Sequence, residues 1–370
     1  MPRRKILILL GALAGLLLVA RAARKEEGAI LRNRAFAELV WTGAFPYAAA
    51  GAERRPLHAP YPPSYGIVMG PLLLAPITVC RILWALLQLA LLLLVLRLCA
   101  RWWSDLLHAR APPWLAVLAL LFVLRFLLRD MAGGGNNLVF GALVLLACLR
   151  PGEVPGEDRR PWTGLGLGVV LAAKPTPLLF LFWLWMRGRR RTLAVALGSA
   201  LFLWLCPALT LGVRGSADAY GHWLRGVLLY SGQENLFAEP ALGFPPFDWM
   251  HQSLRYALAR FLGSVPETQL GLLHFAAFPG VGLPHAMVAW IHRILTVLLL
   301  AQSFGMLWLR RKSPSPWHEM AGPCLLIALT LLLSPITWKA HHVGLLPVFY
   351  LLLARASVGR RPGLVLGLGL

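Results

Sequence analysis

Lys339, His341 and His342 stand inside LLLSPITWKAHHVGLLPVFYLLL, residues 331–353, between two apolar runs. Ionisable groups at membrane depth are costly and mark functional sites by default. A histidine can donate to an anionic oxygen or move a proton near neutral pH, and a lysine is a mobile point charge suited to phosphate. Lys174 repeats the pattern in LAAKPTPLLF, a lone cation between apolar stretches. AGGGNN at 132–137 offers backbone that a ligand can approach closely, with the amides of Asn136 and Asn137 beside it. These residue types could grip an anion and order its neighbours. Each also has a plainer reading: headgroup anchoring of Lys339 and the two histidines beside Trp338, snorkelling of Lys174, an ordinary glycine turn.

Acid–base chemistry needs carboxylates, and they are scarce: 15 Asp and Glu against 36 Lys and Arg. Glu26 and Glu27 directly follow the first apolar segment. Glu38, Glu53, Asp130, Asp218, Glu234, Glu239, Asp248 and Glu267 are the other candidates on the same expected face. No carboxylate neighbours His341 and His342, and the pair lacks the i, i+4 spacing of a helical metal site. The five cysteines show no CxxC spacing, so neither a zinc site nor a disulfide framework is expected.

Elements that could hold these groups are apolar helices. The chain has 370 residues, 58% hydrophobic and 14% charged, with mean hydropathy +0.66. A soluble domain carries about a quarter charged residues. The fold class expected is an all-α polytopic membrane protein, a single integral domain over 1–370 with about ten or more membrane helices, some short or re-entrant. The net charge of +21 comes from Arg and Lys at the ends of apolar segments, as the positive-inside rule expects; no nucleic-acid partner is implied. With the N-terminus inside, an uncleaved first helix covers 6–23 and residues 24–65 form a first outer loop. Helices at 80–98, 113–128 and 133–149 follow. Residues 163–186, broken at KPTP and flanked by basic clusters on both sides, read as a hairpin of two short helices. A helix over 193–213 leads to a large outer loop, 214–285, with an amphipathic helix at 250–262 carrying Arg255. Helices over 286–309, 320–335 and 343–354 complete the chain. One loop breaks the charge rule: the first outer loop holds Arg24, Lys25, Arg32, Arg34, Arg54 and Arg55. The KPTP tip, AGGGNN and TWKAHH all fall on the outer face. Polar or broken backbone at membrane depth is tolerated where it lines a cavity.

Taken in order, TGAFPY, APYPPSYGIVMGPLLLAP, GGGNNLVFGALVLLACLR, GLGLGVVLAAKPTPLLFLFWLWMRGRRR, HQSLR and LLLSPITWKAHH resemble glycosyltransferase family 87, over about residues 30–355. The resemblance implies a GT-C-like helical bundle with its active site outside the cytoplasm. It implies transfer of a hexose, with mannose expected, from a polyprenyl-phosphate donor to a lipid or glycan acceptor. The sugar-phosphate lipid is a co-substrate, and no cofactor or metal is implied. The implied setting is an integral protein of a bacterial plasma membrane, surrounded by membrane lipids. Where the family carries an acid after the first helix, counting back from TGAFPY lands at Ala29 or Ile30. Glu27, with Glu26 behind it, therefore stands in as the expected base. His341 and His342 join it as expected catalytic groups, Lys174 and Lys339 as phosphate ligands, and Asn136, Asn137, Gln252, Arg255 and Tyr61 as substrate-binding groups. The family's GQxN stands here as Gly134-Gly135-Asn136-Asn137, without its glutamine. A transporter or flippase shares the broken helices and buried charge, but no inverted repeat is evident. A non-catalytic membrane scaffold is the third class.

Overall fold

The computed structural model describes residues 15–25, 28–47, 61–150, 153, 157–238, 251–267, 280–312, 315–334, 337 and 339–358. The protein is an all-α polytopic membrane protein. A first helix, α1, is described over 15–24. Next come α2 (Ala29–Trp41), α3 (Ser64–Met69), α4 (Ile77–Leu107), α5 (Pro113–Ala132) and α6 (Asn137–Cys148). The short helices α7 (Gly164–Ala173) and α8 (Leu179–Met186) flank a break at Lys174, as the prolines of KPTP predict. Then follow α9 (Arg190–Leu205), α10 (Ala208–Gly232), α11 (Leu254–Leu262), α12 (His285–Leu309), α13 (Pro316–Leu333) and α14 (Leu346–Val358).

Among the described residues α4, α12, α13 and the stretch Lys339–Val358 are long and apolar enough to cross a bilayer. Other expected spans are shorter or interrupted by charge; α5 carries Arg125, Arg129 and Asp130. α4 runs 31 residues, past Arg97 and Arg101 where a stop is expected. At 1.5 Å per residue that is about 46 Å, more than the hydrocarbon thickness, so it tilts or projects. The expected helix over 193–213 ends early. α9 stops at Leu205, Pro207 follows, and the chain turns by 86° into α10. α10 is itself kinked at Gly212, φ +72°, and what reads as the start of a large loop at 214 is helix through Gly232. Its Ser216, Ala219, Trp223, Gly226 and Tyr230 face inward, while Leu209, Val213, Leu224 and Leu228 remain exposed.

Close packing fixes the Lys174 break. α7 lies against α9 through glycine: a Cβ at Gly168 would fall 2.6 Å from Ala196 O, and one at Gly164 would fall 2.3 Å from Thr192 O. Small residues at four-residue spacing let helices approach where lipid gives no hydrophobic drive. Ser64 Oγ donates to Ala172 O at 2.6 Å, tying α3 to the last turn before Lys174.

The opposite end of the bundle is clamped by buried charge. RGRRR at 187–191 reads as an exposed basic flank, yet Arg187 and Arg189 are 1% and 0% exposed. Both reach Glu319 at the start of α13; the Arg189 contact is 3.0 Å. Arg189 Nη1 also donates to Cys148 O. Beside them Arg150 bonds Glu153 at 3.2 Å and Asp158 at 3.0 Å. Asp158 in turn accepts from the main-chain N–H of Thr192 at 2.8 Å, capping α9 from outside. Burial pushes the Asp158 carboxyl up, but its bonds from Thr192 and Arg150 outweigh that and lower its pKa.

Two measurements check this end. Removing one partner of a buried ion pair leaves uncompensated charge, so Glu319→Ala should lose about 3–5 kcal/mol of stability. A thermal midpoint in detergent equal to wild type would show that the clamp contributes nothing. A depressed carboxyl stabilises above its unfolded pKa near 4 and loses that contribution as pH falls through the folded value. Asp158→Asn should therefore lower the melting midpoint at pH 7 and leave it close to wild type at about pH 2.

Candidate functional site

The turn between α5 and α6 is built around one carboxylate. Asp130, 1% exposed, sits in the last turn of α5. Its Oδ1 accepts from Asn137 Nδ2 at 2.7 Å. Its Oδ2 accepts from Leu138 N at 3.0 Å and from Gln88 Nε2 at 3.4 Å. Leu138 N is one of the orphan donors at the start of α6, so Asp130 caps that helix from the preceding one. Gly135 N returns to Asp130 O at 2.8 Å, closing the turn. α4 holds it from the side: Gln88 Nε2 and Trp84 Nε1 both donate to Gly135 O at 2.8 Å. Glycine is required here. Gly134 has φ +62°, and a Cβ on it would lie 2.7 Å from Ile30 Cβ.

α2 and α3 close a second side. Ile30 N donates to Gly133 O at 3.4 Å, setting the start of α2 on the turn. Asn136 Nδ2 donates to Tyr65 OH at 2.8 Å. Tyr61 stacks on Tyr65, ring centroids 4.1 Å apart, and Tyr47 OH donates to Tyr61 O at 2.6 Å. Burial pushes the Tyr61 hydroxyl up, with Arg32 acting against it, so Tyr61 stays protonated and able to donate.

The cations arrive from the third side. Lys174 Nζ lies 3.1 Å from His341 Nε2, although 167 residues separate them. With the ammonium donating, Nε2 is the acceptor and the imidazole proton is on Nδ1. Geometry links the three sides: Ser64, next to Tyr65, bonds Ala172 O just before Lys174, the turn carrying His341 packs on α5 and α6, and Arg32 acts on Tyr61. One cluster thus joins Arg32, Tyr61, Tyr65, Asp130, Asn136, Asn137, Lys174 and His341.

Placement of the expected residues divides accordingly. Lys174, His341, Asn136, Asn137 and Tyr61 converge. Lys339 opens the 3₁₀ turn Lys339–Leu345 that carries His341. His342 packs instead beside Phe126, ring centroids 5.1 Å apart. Gln252 approaches through its backbone, N to Thr337 O at 2.7 Å, with its side chain exposed. Arg255 is expected among the substrate ligands, but its guanidinium turns to α10. It donates to Tyr230 O at 2.8 Å and to Gln233 O, and lies over the Tyr230 ring. The reason is packing: α11 docks by Tyr256 and Ala259, and Arg255 closes it onto the end of α10. Glu26 and Glu27, the expected base and its neighbour, lie outside the described residues. No group of His, Cys, Asp and Glu suited to a metal ion occurs among the described residues.

Four contributors escape the motif search. Asp130 appears only as one carboxylate of many. Gln88 is a lone amide within the apolar run of α4, which is its signal. Arg32 is signalled by the first loop's breach of the charge rule, and its neighbour Arg34 answers the same anomaly structurally, donating to Leu72 O and Ala75 O. Tyr65 stands in PYPPSYG and reads there as loop.

Asp130→Asn gives a direct check of the turn. The new amide would point a donor at donors, leaving Leu138 N–H or a neighbouring amide unmet. The expected loss is about 1–3 kcal/mol, read as a lower thermal midpoint; wild-type melting would deny Asp130 its fastening role.

Comparison with known proteins gives a family match. The family model described as Glycosyltransferase family 87 aligns with residues 59–335. No curated protein and no solved structure matches the chain significantly.

Proposed function

The chain belongs to glycosyltransferase family 87, a membrane glycosyltransferase, and we propose that it moves a hexose, mannose first among candidates, from a polyprenyl phosphate to a lipid or glycan hydroxyl outside the cytoplasm. The observation that carries this reading is the Lys174–His341 pair, set at a helix break beside Asp130 and the stacked tyrosines. Displacement at an anomeric carbon leaves charge on the departing phosphate. Preorganised cations in a water-poor site stabilise such charge strongly. Lys174 supplies a point charge, His341 and Arg32 donors, and Lys339 further positive potential. Asn136 and Asn137, each already donating once within the turn, would offer their remaining amide groups to sugar or acceptor hydroxyls, and Gln252 its exposed side chain.

The reaction also needs a base for the acceptor's proton. Asp130 is a poor candidate, because both oxygens already accept hydrogen bonds from the turn. Glu27, backed by Glu26, remains the proposed base, and inversion at the anomeric carbon follows from a single displacement. No metal step is part of the proposal.

The test uses purified protein in nanodiscs with labelled polyprenyl-phosphate mannose and acceptor lipid. Lys174→Ala should lower transfer about 10²-fold or more, the scale seen when one charge-stabilising donor is removed, while the protein still inserts and melts cooperatively. A wild-type rate in that variant would remove Lys174 from the mechanism. Lipid translocation without sugar transfer would favour a flippase. Glu27→Gln with Glu26→Gln should abolish transfer without weakening donor binding; full activity would move the base elsewhere.

A further inference from the structure

Asn33 is a buried amide in α2, 6% exposed, and its Nδ2 has no hydrogen-bond partner among the described residues. Buried polar groups are nearly always paired, and each exception calls for an explanation. Its position gives one. On α2 the inward face carries Ile30, Asn33, Phe36, Ala37 and Val40. Ile30, one turn before Asn33, is the residue that Gly134 must avoid. Phe36, one turn after, lies 5.9 Å from the Tyr65 ring. Residues three apart on a helix share a face. Asn33 therefore lies on the face of α2 that packs between the Gly134 turn and Tyr65, the two being joined by the Asn136 bond to the tyrosine hydroxyl.

A second donor lies against the same face of α2. The Tyr65 hydroxyl accepts from Asn136, so its own proton remains available to donate. Two neutral donors beside a stacked tyrosine pair differ in chemistry from the cationic group at Lys174 and Arg32. Neutral amides and hydroxyls suit the oxygens of a sugar; the cations suit phosphate.

We propose that Asn33 and Tyr65 form a carbohydrate subsite, donating to hydroxyl or ring oxygens of the hexose that the lipid phosphate delivers. This rests on the transferase reading above and adds to it a division of labour. α2 reads the sugar, and the Lys174 break holds the phosphate. It also explains an amide where leucine would pack without an unmet donor: the missing partner is the substrate.

The experiment compares wild type with Asn33→Leu, Asn33→Ala and Tyr65→Phe in the nanodisc transfer assay, with melting measured in parallel. A hydrogen bond lost to the sugar is worth about tenfold in affinity. Each variant should raise the KM for polyprenyl-phosphate mannose by about that factor, and Asn33→Leu should melt at or above the wild-type temperature. Sugar-free polyprenyl phosphate, used as an inhibitor, separates the two subsites. Its inhibition constant should be unchanged in Asn33→Leu and raised in Lys174→Ala. An unchanged KM in all three variants overturns the subsite, as does equal weakening of polyprenyl phosphate by Asn33→Leu and Lys174→Ala. A higher KM in Asn33→Leu without loss of stability sustains it. If wild type transfers nothing from the lipid donor, the transferase reading fails first. Activity in wild type with indifferent variants sinks the subsite alone.

Discussion

Everything at the functional end depends on how the chain changes direction between α5 and α6. A broken backbone exposes N–H groups that a low-dielectric setting does not solvate. Asp130 solves this by capping the next helix from the previous one. A carboxylate can accept several donors, and a negative group at a helix N-terminus also meets the positive end of the dipole. Because Gln88, Asn137 and Leu138 share this acceptor, α4, α5 and α6 are fixed together at one point. The glycines then follow as a requirement, since the tight turn leaves no room for Cβ atoms against α2.

The two ends of the bundle use buried charge for different purposes. At the Arg187–Glu319–Arg189 clamp each charged group meets an opposite one, and the result is a mechanical tie between α8, α9 and α13. At the Lys174 end the cations meet a histidine, tyrosines and one carboxylate already occupied by the turn. The first arrangement closes on itself. The second retains donor capacity, and donor capacity held rigidly in a buried place is what an anionic substrate can use. The short helices α7 and α8 link the two: tight packing of α7 on α9 sets the height of Lys174, and the clamp fixes the far end of α8.

The parts of this fold governed by local chemistry were legible in the sequence. KPTP announces a break because proline removes a donor and restrains the residue before it. AGGGNN announces a turn, and hydropathy locates α12 within a residue at each end. Contacts between distant segments were not legible. Nothing local to Lys174 or His341 names the other as its partner. RGRRR carries the signature of an exposed flank, and only Glu319, more than a hundred residues later, turns two of its arginines inward. The bend at Pro207 had a signal, but apolar residues on both sides hid it, since hydropathy averages across a corner. Arg255 shows a related limit: its contacts with the end of α10 have no local signal, since an arginine on an amphipathic helix looks free until its packing face is known.

The Lys174–His341 pair carries a constraint on chemistry that composition alone does not suggest. Two adjacent cations would repel, so the pair as it stands requires an imidazole that accepts at Nε2 while the ammonium donates. Such a histidine does not add charge to the resting site; it orients the lysine. An arriving phosphate offers the ammonium stronger, charge-assisted acceptors. On the proposed reading the imidazole is then released from holding Lys174 and can reorient with the phosphate in place. On the proposed reading, the empty site therefore carries a single cation at this pair, the lysine held by a neutral imidazole. That avoids the cost of two unpaired cations in an empty low-dielectric pocket. The Arg32 guanidinium, borne on exposed surface, bears no such cost, and on the same reading would add long-range attraction. On that reading the order of recognition would be long-range attraction by Arg32, then capture by Lys174 as His341 gives it up.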